Sequence, residues 1–211
     1  MMDLKCKKCR RAKEKLFLKG ERCYSPKCSV VRKPYAPGIF GKKGSKHTKP
    51  GLSEYGVQLM EKQMIRNSYG LKERQFANYV RAASRIKGED RGVKLYEFLE
   101  SRLDNVVFRM GFTNSRNEAR QLVNHGHLLV NNRKVNIPSY RVKIGDKISI
   151  RALSKDKSIF KNLDIKLKKY SPPLWIKLDK EKMAEIVGKP FISNDPKMEK
   201  TLHSIIEFYS R

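Results

Sequence analysis

The chain has 211 residues, with 48 Lys and Arg against 21 Asp and Glu, for a formal net charge of +27. That length admits one large domain or two modest ones, and so large a charge repels itself unless a polyanion neutralises it, which makes nucleic acid the leading partner. An anionic membrane is the rival surface. No apolar run approaches the roughly 20 residues of a spanning helix, and Met1 to Arg11 is polar and basic instead of a signal segment. The expected location is the cytoplasm or an organelle's equivalent compartment.

The first 50 residues hold 16 Lys and Arg but 3 Asp and Glu. A disordered basic tail is one reading of that bias. All four cysteines also lie here, at Cys6, Cys9, Cys23 and Cys28, spaced as Cys-x2-Cys, thirteen residues, then Cys-x4-Cys. Two close pairs across a short loop suit the corners of a tetrahedron, so one structural Zn2+ is the preferred expectation, with no open coordination position. Basic neighbours (Lys5, Lys7, Lys8, Arg10, Arg11) are expected to lower the thiol pKa values. Two disulfides are disfavoured in a reducing compartment, and a redox Cys-x-x-Cys lacks its βαβ context. Candidate RNA contacts on this segment are Arg10, Arg11, Lys13, Lys15, Lys19, Arg22, Lys27 and Lys33. From Arg32 to Gly51 the chain is rich in Gly, Pro and basic residues and reads as extended. It is either a linker or an arm on phosphates through Lys42, Lys43 and Lys46.

Three amphipathic helices follow. Ser53 caps the first, with Val57, Met60 and Met64 on its apolar face, Lys62 and Arg66 elsewhere and Gly70 as its stop. The second runs from Lys72 to Ile86 through Phe76, Val80 and Ala83. The third begins near Val93 and repeats Leu95, Leu99, Leu103, Val106 and Met110 before Gly111. Arg66, Arg74, Arg81 and Arg85 point outward as solvated charge or phosphate contacts, and Arg66, Tyr69 and Arg74 are carried forward as candidates.

Ser115-Arg116-Asn117-Glu118 is a capping box opening a short helix through Ala119, Leu122 and Val123 to Gly126. Arg116 and Arg120 share a face near that helix start, where free amides and the dipole favour anions. Leu128–Val130, a turn at Asn131-Asn132, Arg133–Val135 and Asp146–Ile150 read as short strands around tight turns. A helix and small sheet bearing cations suit RNA shape and backbone. The paired aromatics of a base-reading sheet are missing.

The run from Leu99 to Arg109, Ala119 to His127, Val130-Asn131 and Ile137 to Tyr140 resembles the module named after the ribosomal S-four family. Cys9-Arg10-Arg11, Leu18 to Cys28, Glu61-Lys62-Gln63, Tyr69-Gly70, Glu73 to Phe76 and Glu207 to Arg211 are similar to the zinc-bearing form of that family, over essentially the whole chain. The resemblance implies an α+β fold, with a helical domain from the N- and C-terminal parts and an inserted RNA-binding module. The expected segments are a knuckle and arm (1–50), helical domain (51–98), module (99–155) and a segment packing back on the helical domain (156–211). Module candidates for RNA are Arg116, Arg120, Gln121, His125, His127, Asn131, Arg133, Tyr140 and Arg141. The implied role is assembly on a multi-helix junction in the 5′ domain of small-subunit rRNA. The implied neighbours are ribosomal proteins S-five and S-three and messenger RNA where it enters the subunit, with an influence on decoding accuracy.

In the return segment, Ile159, Phe160 and Leu163 suggest a helix, Trp175 to Leu178 a strand, and Pro196 the start of a last helix through Leu202, Ile205 and Ile206. Family members usually carry Pro-x-Arg-x-Asp/Glu before that helix, whereas this chain has Ile192-Ser193-Asn194-Asp195-Pro196-Lys197, which puts a protein contact there in doubt. Arg102-Leu103-Asp104 is similar to the triplet around the catalytic aspartate of some pseudouridine synthases, which share the module. Here it sits inside the Leu95, Leu99, Leu103 repeat with no room for a catalytic domain, so no enzyme and no small-molecule substrate are expected. A DNA-reading zinc regulator would place a recognition helix after its ligands, where this chain is Pro- and Gly-rich. His125 and His127 read as turn or RNA-facing residues because no acidic or cysteine cluster adjoins them.

Overall fold

The computed structural model describes residues 4–38, 41, 52–155, 157–161, 163–168, 170–179, 184–192 and 195–210. The candidate arm residues Lys42, Lys43 and Lys46 lie outside them. The chain divides into two units, Met1–Lys87 with Asp195–Arg211, and Gly88–Asn194.

In the first unit, α1 (Leu4–Ala12), α2 (Glu21–Tyr24) and α3 (Ser29–Arg32) are short. Cys9, Leu16 and Leu18 bury against Ala12, Val30 and Met64. Next come α4 (Glu54–Ser68) and α5 (Glu73–Ser84). The Ser53 hydroxyl accepts the Gly56 N–H at 3.3 Å, the expected cap. Against expectation, α4 buries Gln58, Lys62 and Ile65, while Val57 is exposed and Met60 half-buried. Electrostatics explain the rotated face. Lys62 Nζ lies 2.6 Å from Glu73 and 5.0 Å from the Phe208 ring, so the cation is paired and its stem covers apolar surface. Arg66 joins Glu73 at 2.8 Å, and the Tyr209 hydroxyl donates to it at 2.6 Å. Burial raises the Glu73 carboxyl, but the bonds from Lys62 and Tyr209 and the charges of Lys62 and Arg66 outweigh it and hold the pKa below the usual range. Phe208 and Tyr209 belong to the last helix (Pro196–Ser210), which packs on α4 and α5 through buried Leu202 and Ile205.

The second unit begins with α6 (Arg91–Glu100) and α7 (Leu103–Arg109), which the sequence joined into one helix. The break at Ser101-Arg102 has a distant cause. The Ser101 carbonyl accepts the Val142 N–H, Leu103 N–H donates to Tyr140 and Asp104 N–H to Pro138, so chain 138–142 takes over groups a continuous helix would use internally. Then α8 (Arg116–Asn124) leads into β1 (Leu128–Val130), β2 (Arg133–Lys134) and β3 (Lys147–Ile150). Asn131 and Asn132 both take left-handed φ, 48° and 63°, in the expected two-residue hairpin turn.

Two short helices, α9 (Ser158–Lys161) and α10 (Leu163–Lys168), precede β4 (Ile176–Leu178) and β5 (Ala184–Ile186). The last helix is therefore α11. All pairings are antiparallel, in the order β2-β1-β3-β5-β4. The core joins Leu103, Val106, Leu122, Leu128 and Ile148 to Phe160, Leu163, Trp175 and Ile176. Two boundaries thus depart from the sequence expectation. The stretch through Ile186 extends the module's sheet because its Trp175 and Ile176 fill the module's core, and among the described residues of the return segment α11 is the element that packs on the helices. In addition, α6 lies with the module, not in a helical domain ending at 98. Among the described residues no helix is long and apolar enough to cross a membrane.

Candidate nucleic-acid interface

Two buried carboxylates organise the arginines of the second unit. Glu100 is fully buried and receives Arg109 at 2.7 and 2.9 Å, Asn105 at 2.8 Å and, more distantly, Arg116 at 3.7 Å. Arg116 Nε also donates to Asn105 Oδ1 at 2.6 Å, and its guanidinium lies 4.7 Å from the Phe108 ring centre. Asp104 receives Arg102 at 3.0 and 2.8 Å and Arg120 at 3.0 and 2.8 Å. Two negative charges therefore fix four positive ones, leaving a local excess of positive charge with Arg109, Arg116 and Arg120 partly exposed. Carboxylate anchors hold the guanidinium forks in set orientations, so less rotamer freedom is lost when an anion arrives. Asp104 is committed to ion pairs, which accords with the non-catalytic reading of the Arg-Leu-Asp triplet.

α8 presents a polar side beyond that cluster. Ser115 Oγ accepts the Glu118 N–H at 3.3 Å, while Glu118 Oε2 reaches back to the Asn114 N–H at 3.0 Å, a capping box displaced by one residue in its second half. Asn117 and Arg120 are half-buried there, and Gln121, Asn124 and His125 exposed. Gly126, at φ +66°, ends the helix, and a Cβ on it would come within 2.4 Å of the Lys134 stem. The glycine thus lets Lys134 lie across the helix C-terminus, a favourable place for a cation. α8 and the exposed Arg133-Lys134 strand consequently form one continuous surface. Arg141 is exposed, its guanidinium 4.0 Å from the Phe98 ring centre.

Several candidates have other duties. His127 is buried, its Nδ1 3.0 Å from Ser154 Oγ and its ring edge-on to Phe160. Ser154 and Phe160 hold the His127 ring inward, whereas His125 caps the C-terminus of α8 and stays exposed. Tyr69 is buried at the end of α4, and the Tyr140 ring packs on the module's core. Asn131 serves the turn, donating to Asp146 and accepting the Lys147 N–H. Arg10 is buried and donates to the carbonyls of Lys33, Tyr35 and Ala36, clamping the chain beyond the knuckle. In the first unit Arg11, Arg22, Lys27 and Lys33 are exposed, and Lys15 and Lys19 half-buried. Arg66 is taken by Glu73, whereas Arg74, Asn78, Arg81 and Arg85 line one exposed side of α5. Their four- and three-residue spacing is the signal that extends the Arg74 candidate to its neighbours. Lys157 and Arg151 act electrostatically on His127, adding cations near His125 that motif reading passed over.

The four cysteines line one cavity, with Leu18 and Val30 beside them. All four thiols are free. Cys23 Sγ accepts the Lys19 N–H at 3.4 Å, the kind of bond that steadies a thiolate. Burial pushes the Cys9 thiol up, a Leu16 backbone hydrogen bond partly opposes this, and the charges of Cys23, Cys6 and Cys28 add to it. The expected lowering by basic neighbours therefore does not hold at Cys9, where desolvation dominates. Convergence of four soft donors fits the chemistry of zinc. Among the described residues, however, no group of three or more His, Cys, Asp or Glu stands in metal-holding geometry.

Residues 2–100 match the family model described as ribosomal protein S4/S9 N-terminal domain, and residues 101–148 the S4 domain. The chain is 51% identical over 88% of its length to the small ribosomal subunit protein uS4 of Syntrophomonas wolfei, covering 86% of that protein. It is 46% identical to the protein of that name from Ruminiclostridium cellulolyticum, across 99% of this chain and 98% of the relative. The Thermotoga petrophila protein is 45% identical, with 98% and 96% covered.

Proposed function

The chain belongs to the ribosomal protein S4 family, whose members are rRNA-binding structural constituents of the small subunit and not enzymes, and on that premise we propose that its α8 and β2 surface engages folded rRNA. The observation that carries this reading is the comb of arginines held by Glu100 and Asp104 beside exposed Gln121, His125, Arg133 and Lys134. Fixed cations on a rigid helix and hairpin match RNA read through backbone and shape. The further assignment, early binding to a multi-helix junction of the 5′ domain, rests on family resemblance. So do contacts with S-five, S-three and messenger RNA. The bacterial relatives support a place on the ribosome in a bacterial cytoplasm.

Arg133→Ala with Lys134→Ala is the informative test, since neither residue anchors a buried carboxylate. Loss of two phosphate contacts should lower affinity for a 5′-domain rRNA fragment and reduce the log-log salt slope by about 1.5. An unchanged slope would turn the interface elsewhere.

We also propose that Cys6, Cys9, Cys23 and Cys28 hold one structural zinc ion, on the strength of their spacing and shared cavity. Bound, the ion would cancel the mutual repulsion of the thiolates and tie down a segment with little apolar content. Metal analysis of the purified chain should give one zinc, released by Cys6→Ser with Cys9→Ser while the second unit stays folded. A metal-free, fully folded parent would remove the ion from the account.

A further inference from the structure

We propose that Phe17 and Tyr24 form a stacking platform for an unpaired rRNA base, an inference that rests on the rRNA-binding reading and deepens it. Leu16 and Leu18 are both buried, while the intervening Phe17 is only partly buried. Its backbone sits at φ +49°, a region a bulky residue seldom occupies. The ring meets Tyr24 with centroids 5.0 Å apart and planes at 33°. Tyr24 closes α2 and is 67% exposed. A tyrosine so exposed contributes little to folding, yet its position is fixed from both sides. Phe17 braces the ring, and Ser25 Oγ donates to the Arg22 carbonyl at 3.1 Å to shape the turn after it.

The surroundings indicate what covers it. Lys13, Arg22 and Lys27 are exposed nearby in sequence, and an aromatic face flanked by cations is the arrangement that takes a splayed-out base together with its phosphates. Stacking accepts any base, so the platform adds affinity without reading sequence. It would give the knuckle a contact of a different kind from the charge-driven ones on α8 and β2.

The full-length protein and a 5′-domain rRNA transcript test this through a salt series. Tyr24→Leu should weaken binding by about 5- to 100-fold with the salt slope unchanged, because stacking releases no counterions. Tyr24→Phe should bind like the parent, and both variants should keep the parent's metal content and unfolding midpoint. Parental affinity in Tyr24→Leu would overturn the platform. So would equal weakness in the two variants, which would mean a hydrogen bond from the hydroxyl. If Tyr24→Leu binds normally but fails to join small subunits, Tyr24 meets a protein and base stacking is wrong. A parent that does not prefer this transcript over a scrambled one would bring down the underlying rRNA reading itself.

Discussion

Arg102 and Asp104 show how far a residue's role depends on groups its own neighbourhood does not name. Arg102 is among the largest fully buried side chains, tolerable because Asp104 takes it with two hydrogen bonds and Arg120 completes the carboxylate. Removing one partner of such a set typically costs about 3–5 kcal/mol, since a charge is left uncompensated in the interior. Substituting Arg116 or Arg120 would therefore confuse RNA affinity with stability. His127 gives a cleaner test. Burial, and then the positive charges of Lys157, His125 and Arg151, hold its pKa below the ordinary value. The folded state then binds fewer protons than the unfolded chain, so this contribution is complete above about pH 6.5 and is lost as pH falls through the folded pKa. Urea midpoints of the parent should drop between pH 7 and 5, and those of His127→Gln should drop less. Equal slopes would mean that another group sets the pH dependence. The sequence marked both histidines and all these arginines as polar, but which one turns inward depends on Ser154, Phe160, Glu100 and Asp104, residues whose approach is tertiary.

Among the elements, α8 was the most legible, because its start signal is local. Ser115, Glu118 and the apolar Ala119, Leu122 and Val123 fall where one helix needs them. The α6–α7 break was hidden for the opposite reason. No Gly or Pro stands at Ser101-Arg102, the apolar repeat runs on through Leu103, and the competing hydrogen bonds come from residues 138–142. α4 was found but turned, since hydropathy ranks Lys62 as outward and does not see Glu73 or the ring of Phe208. The cap of α8 carries a prediction at this scale. Ser115→Ala should cost about 1 kcal/mol by orphaning the Glu118 N–H. It should also weaken rRNA binding modestly, because Arg120, Gln121 and His125 ride on that helix. Hydrogen exchange should place the lost protection in Arg116 to Arg120. A stability loss with no change in binding would detach α8 from the interface.

At the scale of the molecule, the two units differ in how the chain builds them. The second is one continuous stretch whose core spans Leu103 to Ile186; β4 was legible as the strand at Trp175 to Leu178, whereas β5 escaped a sequence reading because a strand of three residues carries too little alternation to identify it. The first is closed by the two ends of the chain, with α11 placing Leu202 and Ile205 in its core and Tyr209 on Glu73. Segment order therefore matters to its folding, since α4 and α5 lack their cover until Pro196–Ser210 is made. A chain ending before Pro196 should leave Ile65, Phe76 and Val80 without that cover. Amide exchange across Glu54–Ser84 should then lose protection while Leu103–Arg109 and Leu128–Val130 keep theirs. Tyr209→Phe is the milder companion. It leaves the ring contact with Phe76 and removes one donor from Glu73, so the helix should stay docked and the acid limb of the stability curve should move to higher pH as Glu73 loses a bond to its ionised form. Loss of protection in both units on truncation would mean that the second unit's core does not suffice to hold its own fold.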